Sequence, residues 1–178
     1  MTDRERTGAE PIAAELHRLA EIAAGILDGE DVKRIIHERS MRYVANPDPD
    51  HRFLAGDHYD VDAELFLRTK KLLLRIVRLG TLDVGSSVWV PVGQTGQVTV
   101  AVHNGVHRRY YTFGQLALPA PPEMQAVLDD GRIRIVLPDE QAPSLVTALA
   151  PVTDSLGDVV GVVELSAPIS QTDPPAWS

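Results

Sequence analysis

The stretch LVTALAPVTDSLGDVVGVVEL, residues 145–165, constrains the fold of this chain more than any other. Two runs dense in Val, Leu and Ala flank Asp154-Ser155-Leu156-Gly157, where the glycine supplies the positive φ that closes a four-residue hairpin loop. Each run is short and nearly continuously apolar, the pattern of a strand covered on both faces, so the pair is expected as a hairpin in the middle of a sheet. Two residues break that pattern. Gly161 removes a side chain in mid-strand, which marks either a bulge or the close approach of another backbone or a ligand. Glu164 puts a carboxylate near the strand end, either on a solvated rim or buried with partners.

At 178 residues the chain is long enough for one domain with a substantial core, and its 44% hydrophobic and 24% charged residues are ordinary for a globular protein. The net charge of −8 argues against a general nucleic-acid or anionic-membrane surface, both of which need a cationic field. The absence of cysteine removes disulfides, thiolate nucleophiles and Cys-based zinc sites. No stretch approaches the roughly 20 apolar residues of a membrane helix, and residues 1–10 lack the apolar core of a signal peptide. The expected location is cytoplasmic for the chain as given, and extracytoplasmic if it was excised from a membrane receptor.

Residues 1–10 are polar and expected to be disordered. Pro11 suits a first helical position, and Ile12, Leu16, Leu19, Ile22, Ala23 and Ile26 then recur at helical spacing. Asp28 or Gly29 can cap a second helix marked by Val32, Ile35 and Ile36. Residues 43–62, rich in Pro, Asp and His, read as a long loop, and Asp60 or Asp62 caps a third helix that Gly80 ends. Arg68, Lys71, Arg75 and Arg78 form a basic stripe, read as its solvated face. Strands are expected over 88–92, 97–103 and 106–113, the last two joined at Asn104-Gly105. A short helix over 120–130 and a strand over 132–137 precede the closing hairpin, and 167–178 is a Pro-rich tail. Helices followed by strands give an α+β fold: N-terminal helices on a central, mainly antiparallel sheet of five to six strands, with the domain spanning 11–166.

Ala150-Pro151-Val152, the turn from Asp154 to Gly157, and Val160-Gly161-Val162-Val163 resemble the closing hairpin of Cache and PAS-like sensor domains. Residues 26–31 (ILDGED), 72–77 (LLLRIV) and Val88-Trp89-Val90 stand where single Cache sensors carry similar phrases. The resemblance covers roughly residues 16–165. It implies a small-molecule pocket between the sheet and its covering loops, commonly lined by Arg, Tyr, Trp and Asp, and a leading helix that packs in signalling dimers.

With a two-residue turn at Asn104-Gly105, His107, Arg109, Tyr111 and Phe113 share a face with Val98, Val100 and Val102; a shift of one residue promotes Arg108 and Tyr110 instead. A guanidinium among valines needs a partner, and a carboxylate fits it best, either Glu164 or a ligand. With the resemblance, the candidate ligand contacts are Trp89, His107, Arg109 and Tyr111. Asp48, Asp50, His51, Asp57, His58, Asp60 and Asp62 could hold a divalent ion, but they lack the frame of a calcium loop or a His-Glu-x-x-His zinc helix, so a solvated loop is the simpler reading and no metal is expected. No nucleophile elbow or phosphate loop is present, so no catalytic residue and no cofactor is expected; His58 with Asp57 or Asp60 is the least implausible catalytic site.

The expected function is a ligand-binding sensor domain in signal transduction. It recognises a small anionic molecule, an amino acid or carboxylate, and signals through its N-terminal helix or a homodimer to a separate output protein. The alternatives are a metal-dependent or otherwise unrecognised enzyme using loop 48–62, and a pure protein-interaction module. The stripe on the first helix fits a dimer contact and a buried helix of one subunit equally well.

Overall fold

The computed structural model describes residues 3–46, 61–111 and 116–169, and for residues 3–7 the backbone alone. In chain order the elements are α1 (Asp3–Ile26), α2 (Gly29–Ile35), α3 (Glu38–Ala45), α4 (Ala63–Val77), β1 (Gly85–Pro91), β2 (Gln97–Asn104), β3 (Leu118–Pro119), α5 (Pro122–Asp130), β4 (Arg134–Val136), β5 (Leu145–Thr153) and β6 (Val159–Pro168). The strands form one sheet in the order β3-β2-β1-β6-β5-β4, every pairing antiparallel. This is the α+β arrangement expected from the order of elements in the sequence.

The β5–β6 hairpin forms as read. The Asp154 N–H donates to the Asp158 carbonyl and the Gly157 N–H to the Asp154 carbonyl, with Gly157 at φ 87°. Both strands are buried on both faces. Gly161 satisfies both of its readings. The register slips beside it, with Val152 opposite Gly161 and Thr153 opposite Val159, and a Cβ on Gly161 would stand 2.8 Å from the Trp89 carbonyl oxygen of β1.

Alternation along the strands then divides the interior in two. On one face Val88, Val146, Ala148, Ala150, Val163 and Leu165 pack under the N-terminal helices. Helix α1 supplies Ile12, Leu16, Leu19, Ala20 and Ala23 to this layer, all buried, so its apolar stripe is spent inside the chain. The helix starts at Asp3, so Pro11 lies within it and not at its first position, which costs that turn one backbone hydrogen bond. On the other face Trp89, Val98, Leu149 and Val162 pack with Met124 and Val127 of α5.

Asp28 caps α2 by accepting from the Glu30 N–H, and Asp62 caps α4 by accepting from the Glu64 and Leu65 N–H groups. Asp62→Ala strips both bonds, so chemical denaturation should show a loss of about 1 kcal/mol. Helix α3 occupies residues that the sequence reading left unassigned or gave to the loop. It is short, and Ser40 and Val44 are its buried residues, too few apolar marks to announce a helix.

One expectation fails in a way that shapes the site. Over residues 105–111 the chain does not return along β2 as a third strand, and 112–113, the end of the expected strand, lie outside the described residues. The short strand β3 takes that place, with Gln97 opposite Pro119 and Val98 opposite Leu118. Residues 105–111 instead cross over the start of β1 towards β6. The crossing is tight enough to need two glycines. A Cβ on Gly85 would lie 1.9 Å from the His107 carbonyl oxygen, and one on Gly105, at φ 81°, 2.9 Å from the Gly85 Cα. Asn-Gly chemistry does produce a turn here, but the pair of glycines lets the chain pass over the sheet where a hairpin would have followed its edge.

Candidate functional site

The crossing segment is held down by a buried carboxylate. Glu164 is 1% exposed and faces the α5 side of the sheet. Its Oε2 accepts from the Trp89 indole Nε1 at 2.7 Å, and its Oε1 from the Arg109 backbone N–H at 2.7 Å and the Ser166 hydroxyl at 3.2 Å. Ser87, Thr147 and Ser166 lie buried around it, with Ser87 directly opposite Glu164 across the β1–β6 pair and the Thr147 and Ser166 hydroxyls 2.8 Å apart. Glu164 is therefore the partner of Arg109, as one reading of the sequence had it, but through the main chain and not the guanidinium.

Burial raises the Glu164 pKa, and the hydrogen bonds it accepts oppose this only in part. An acid whose folded pKa lies above its unfolded one stabilises most below the unfolded value and loses that contribution as pH rises towards the folded value. The wild type should therefore lose stability relative to Glu164→Gln as pH rises from about 4 towards neutrality. Parallel denaturation of the two proteins across that range isolates this residue from the rest of the acid titration, and a constant difference would contradict it.

The Arg109 side chain leaves the pinned backbone in the other direction. It is 1% exposed, and its guanidinium donates to the Leu137 carbonyl at 3.1 Å and the Leu145 carbonyl at 3.3 Å while pairing with Asp139. Asp139 is itself set by the turn it caps, accepting from the Gln141 and Ala142 N–H groups, and those bonds and the guanidinium hold its carboxyl below the usual carboxylate range. Arg109 thus ties three stretches together: the crossing segment, the 137–141 loop and the start of β5.

Between these stretches and the approach to α5 lies a cavity of about 780 Å³. Arg109 and Tyr110 form one wall, Leu118 and residues 119–122 (PAPP) the apolar one, and Glu123, Asp139, Glu140 and Gln141 the rest. The Tyr110 hydroxyl is buried without a hydrogen-bond partner among the described residues. Burial raises its pKa first and the Glu123 charge second, so it stays a neutral O–H.

Of the four residues expected to contact a ligand, Arg109 lines this cavity. Trp89 lies beneath it in the core, its indole spent on Glu164. His107 is turned to Asp83, with its Nε2 3.1 Å from the carboxylate. Tyr111 stacks on His103 at 4.9 Å and under the Arg108 guanidinium at 4.5 Å. Tyr110, promoted by the alternative register, reaches the cavity together with Arg109 because the segment is not a strand and its side chains need not alternate. Glu123 and Asp139 carried no signal, since only the fold brings them beside Arg109. Residues 48–60 of the acidic and histidine cluster lie outside the described residues, and among the described residues no group of three or more His, Asp or Glu could hold a metal. No described helix is long and apolar enough to cross a membrane.

No protein-family model matches the chain, and no curated protein does. Several solved structures are similar in outline. A GAF domain/HD domain protein from Geobacter sulfurreducens is 14% identical, with 64% of this chain and 78% of that chain covered at a TM-score of 0.45. The GAF domain of A. aeolicus nlh2 in an inactive state is 15% identical, with 72% and 80% covered and a TM-score of 0.41. NreA from Staphylococcus aureus, mutated in its nitrate-binding site, is 12% identical, with 63% and 91% covered and a TM-score of 0.46. Two of these three are described as GAF domains and none as a Cache domain; the α+β, PAS-like fold of this chain rests on the strand order and register given above.

Proposed function

We propose that this chain is a small-molecule-binding sensor domain and that the cavity walled by Arg109 and Tyr110 is its ligand site. The observation that carries this reading is a charged side chain, Arg109, only 1% exposed yet forming part of the wall of a roughly 780 Å³ opening. That volume is of the size that takes a small ligand, and apolar walls with a few fixed polar groups are the usual form of such sites. Recognition and not catalysis is the better reading, because the polar groups of the wall are paired for structure or isolated. Arg109 is engaged with Asp139, and the Tyr110 hydroxyl has no base within hydrogen-bond reach among the described residues.

A route for the signal exists in the same elements. Strands β5 and β6 carry Glu164 and Leu149 on the cavity side of the sheet and pack α1 on the other, so a shift of the pinned segment can be felt at the N-terminal helix. For ligand to move that helix, it must bind two arrangements with different affinity.

A thermal-shift screen against amino acids, small carboxylates, amines and purines tests the reading. A binder at one hundred times its dissociation constant should add about 2.7 kcal/mol, visible as a higher melting temperature. Ala120→Phe fills the cavity from its apolar wall and should abolish the response. A hit that Ala120→Phe leaves unchanged would place binding elsewhere.

A further inference from the structure

The sign of the cavity's charge bears on what it can hold. Among the described residues of the lining, Arg109 is the one cation, against the carboxylates of Glu123, Asp139 and Glu140, a formal charge of −2 for that set. The guanidinium is not waiting for an anion. One nitrogen is spent on Leu137 and Asp139, the other donates to Leu145, and Asp139 already balances its charge. The N-terminus of α5, which would otherwise attract an anion, carries Glu123 in its first turn. Among the described residues no Lys, Arg or His pairs with Glu123 or Glu140.

Tyr110 reports the same field from inside. Of the charges acting on its hydroxyl, Glu123, Glu164 and Asp139 push the pKa up, and Arg109 alone opposes them. The phenol stays neutral and adds no positive charge to that field, and one face of its ring already carries the Arg109 guanidinium. The remaining wall, Leu118, Pro119 and Pro121, offers apolar surface and no charge.

Resting on the reading of this cavity as a ligand site, we infer that its ligand is a small organic amine, cationic at neutral pH. Its ammonium group lies between Glu123 and Glu140, and its carbon body rests on the proline wall. A plain carboxylate would meet two unpaired carboxylates and a guanidinium that must first release Asp139. A charge pair in so open a cavity is screened, so binding should also weaken as salt is raised.

The test uses the full chain and matched probes: phenethylamine against phenylacetate, and putrescine against succinate, followed by thermal shift and titration calorimetry. The amines should raise the melting temperature saturably and their matched acids should not. Glu123→Gln combined with Glu140→Gln changes two side chains that carry no fold contact described above, and should weaken amine binding about tenfold or more, the size of a close charge pair. Acids that bind while the amines are silent, at a site Ala120→Phe blocks, would overturn the amine assignment and leave the ligand site standing. Amine binding untouched by Ala120→Phe would remove the site itself, and silence of both amines would overturn the assignment.

Discussion

Glu164→Ala should destabilise the protein by about 3 to 6 kcal/mol, because it leaves the Trp89 indole N–H and the Arg109 backbone N–H buried without an acceptor, at about 1 to 3 kcal/mol each, as well as a void. In a chain of this length that corresponds to a melting temperature lower by roughly 2 to 4 °C for each kcal/mol. Glu164→Gln separates the two parts of the effect. It keeps the volume and one acceptor oxygen, so it should recover most of the loss, and the second acceptor oxygen, replaced by an amide nitrogen, accounts for the remainder. A Glu164→Ala protein as stable as wild type would mean that the crossing segment is not pinned there.

Gly85→Ala should have an effect of similar kind through the opposite partner. The added methyl would stand 1.9 Å from the His107 carbonyl oxygen, far inside contact distance, and the atom it meets is backbone and cannot rotate away. Either β1 or the crossing segment must shift, at about 3 kcal/mol or slightly more, the upper end of what overpacking costs. Since Arg109 follows His107 by two residues, the same substitution should disorder the cavity wall. Any ligand response would then fall even at temperatures where the protein remains folded. Circular dichroism for stability, with thermal shift for binding, reads both consequences from one variant.

These two residues show where sequence reading succeeds and where it stops. The β5–β6 hairpin was legible because its signals are local: a four-residue turn with glycine at its end, and two apolar runs of strand length. The caps at Asp28 and Asp62, each one of two candidates in the sequence, and the stop of α4 shortly before Gly80 were legible for the same reason. The course of residues 105–111 was not. Asn104-Gly105 is a strong turn signal, but whether the chain then pairs or crosses depends on Gly85, some twenty residues earlier, and on Glu164, some sixty later. Alternation failed beside it as well. The β1–β2 register slips at Val88/Trp89, so Val102 faces the helical layer while Val98 and Val100 face α5, and the three valines do not share a side.

The site itself was half legible. A guanidinium amid valines announced that Arg109 must be buried with partners, and it is. That its partner is Asp139, and that Tyr110 and Glu123 stand beside it, follows only from the crossing. Trp89 anchors the carboxylate beneath the wall, a role for which an indole N–H in a strand gives no separate mark.

The central claim, that the pinned crossing segment walls a ligand site, is tested most directly by mapping a binder from the screen with two-dimensional NMR. The account predicts that the amides of Arg109, Tyr110, Ala120 and residues 139–141 shift together with the Trp89 indole N–H, which reports the Glu164 bond beneath them, and that Lys33, His37 and Met41, around the smaller opening on the opposite side near α3, stay in place. Shifts confined to that second opening, with the Trp89 indole unmoved, would contradict it.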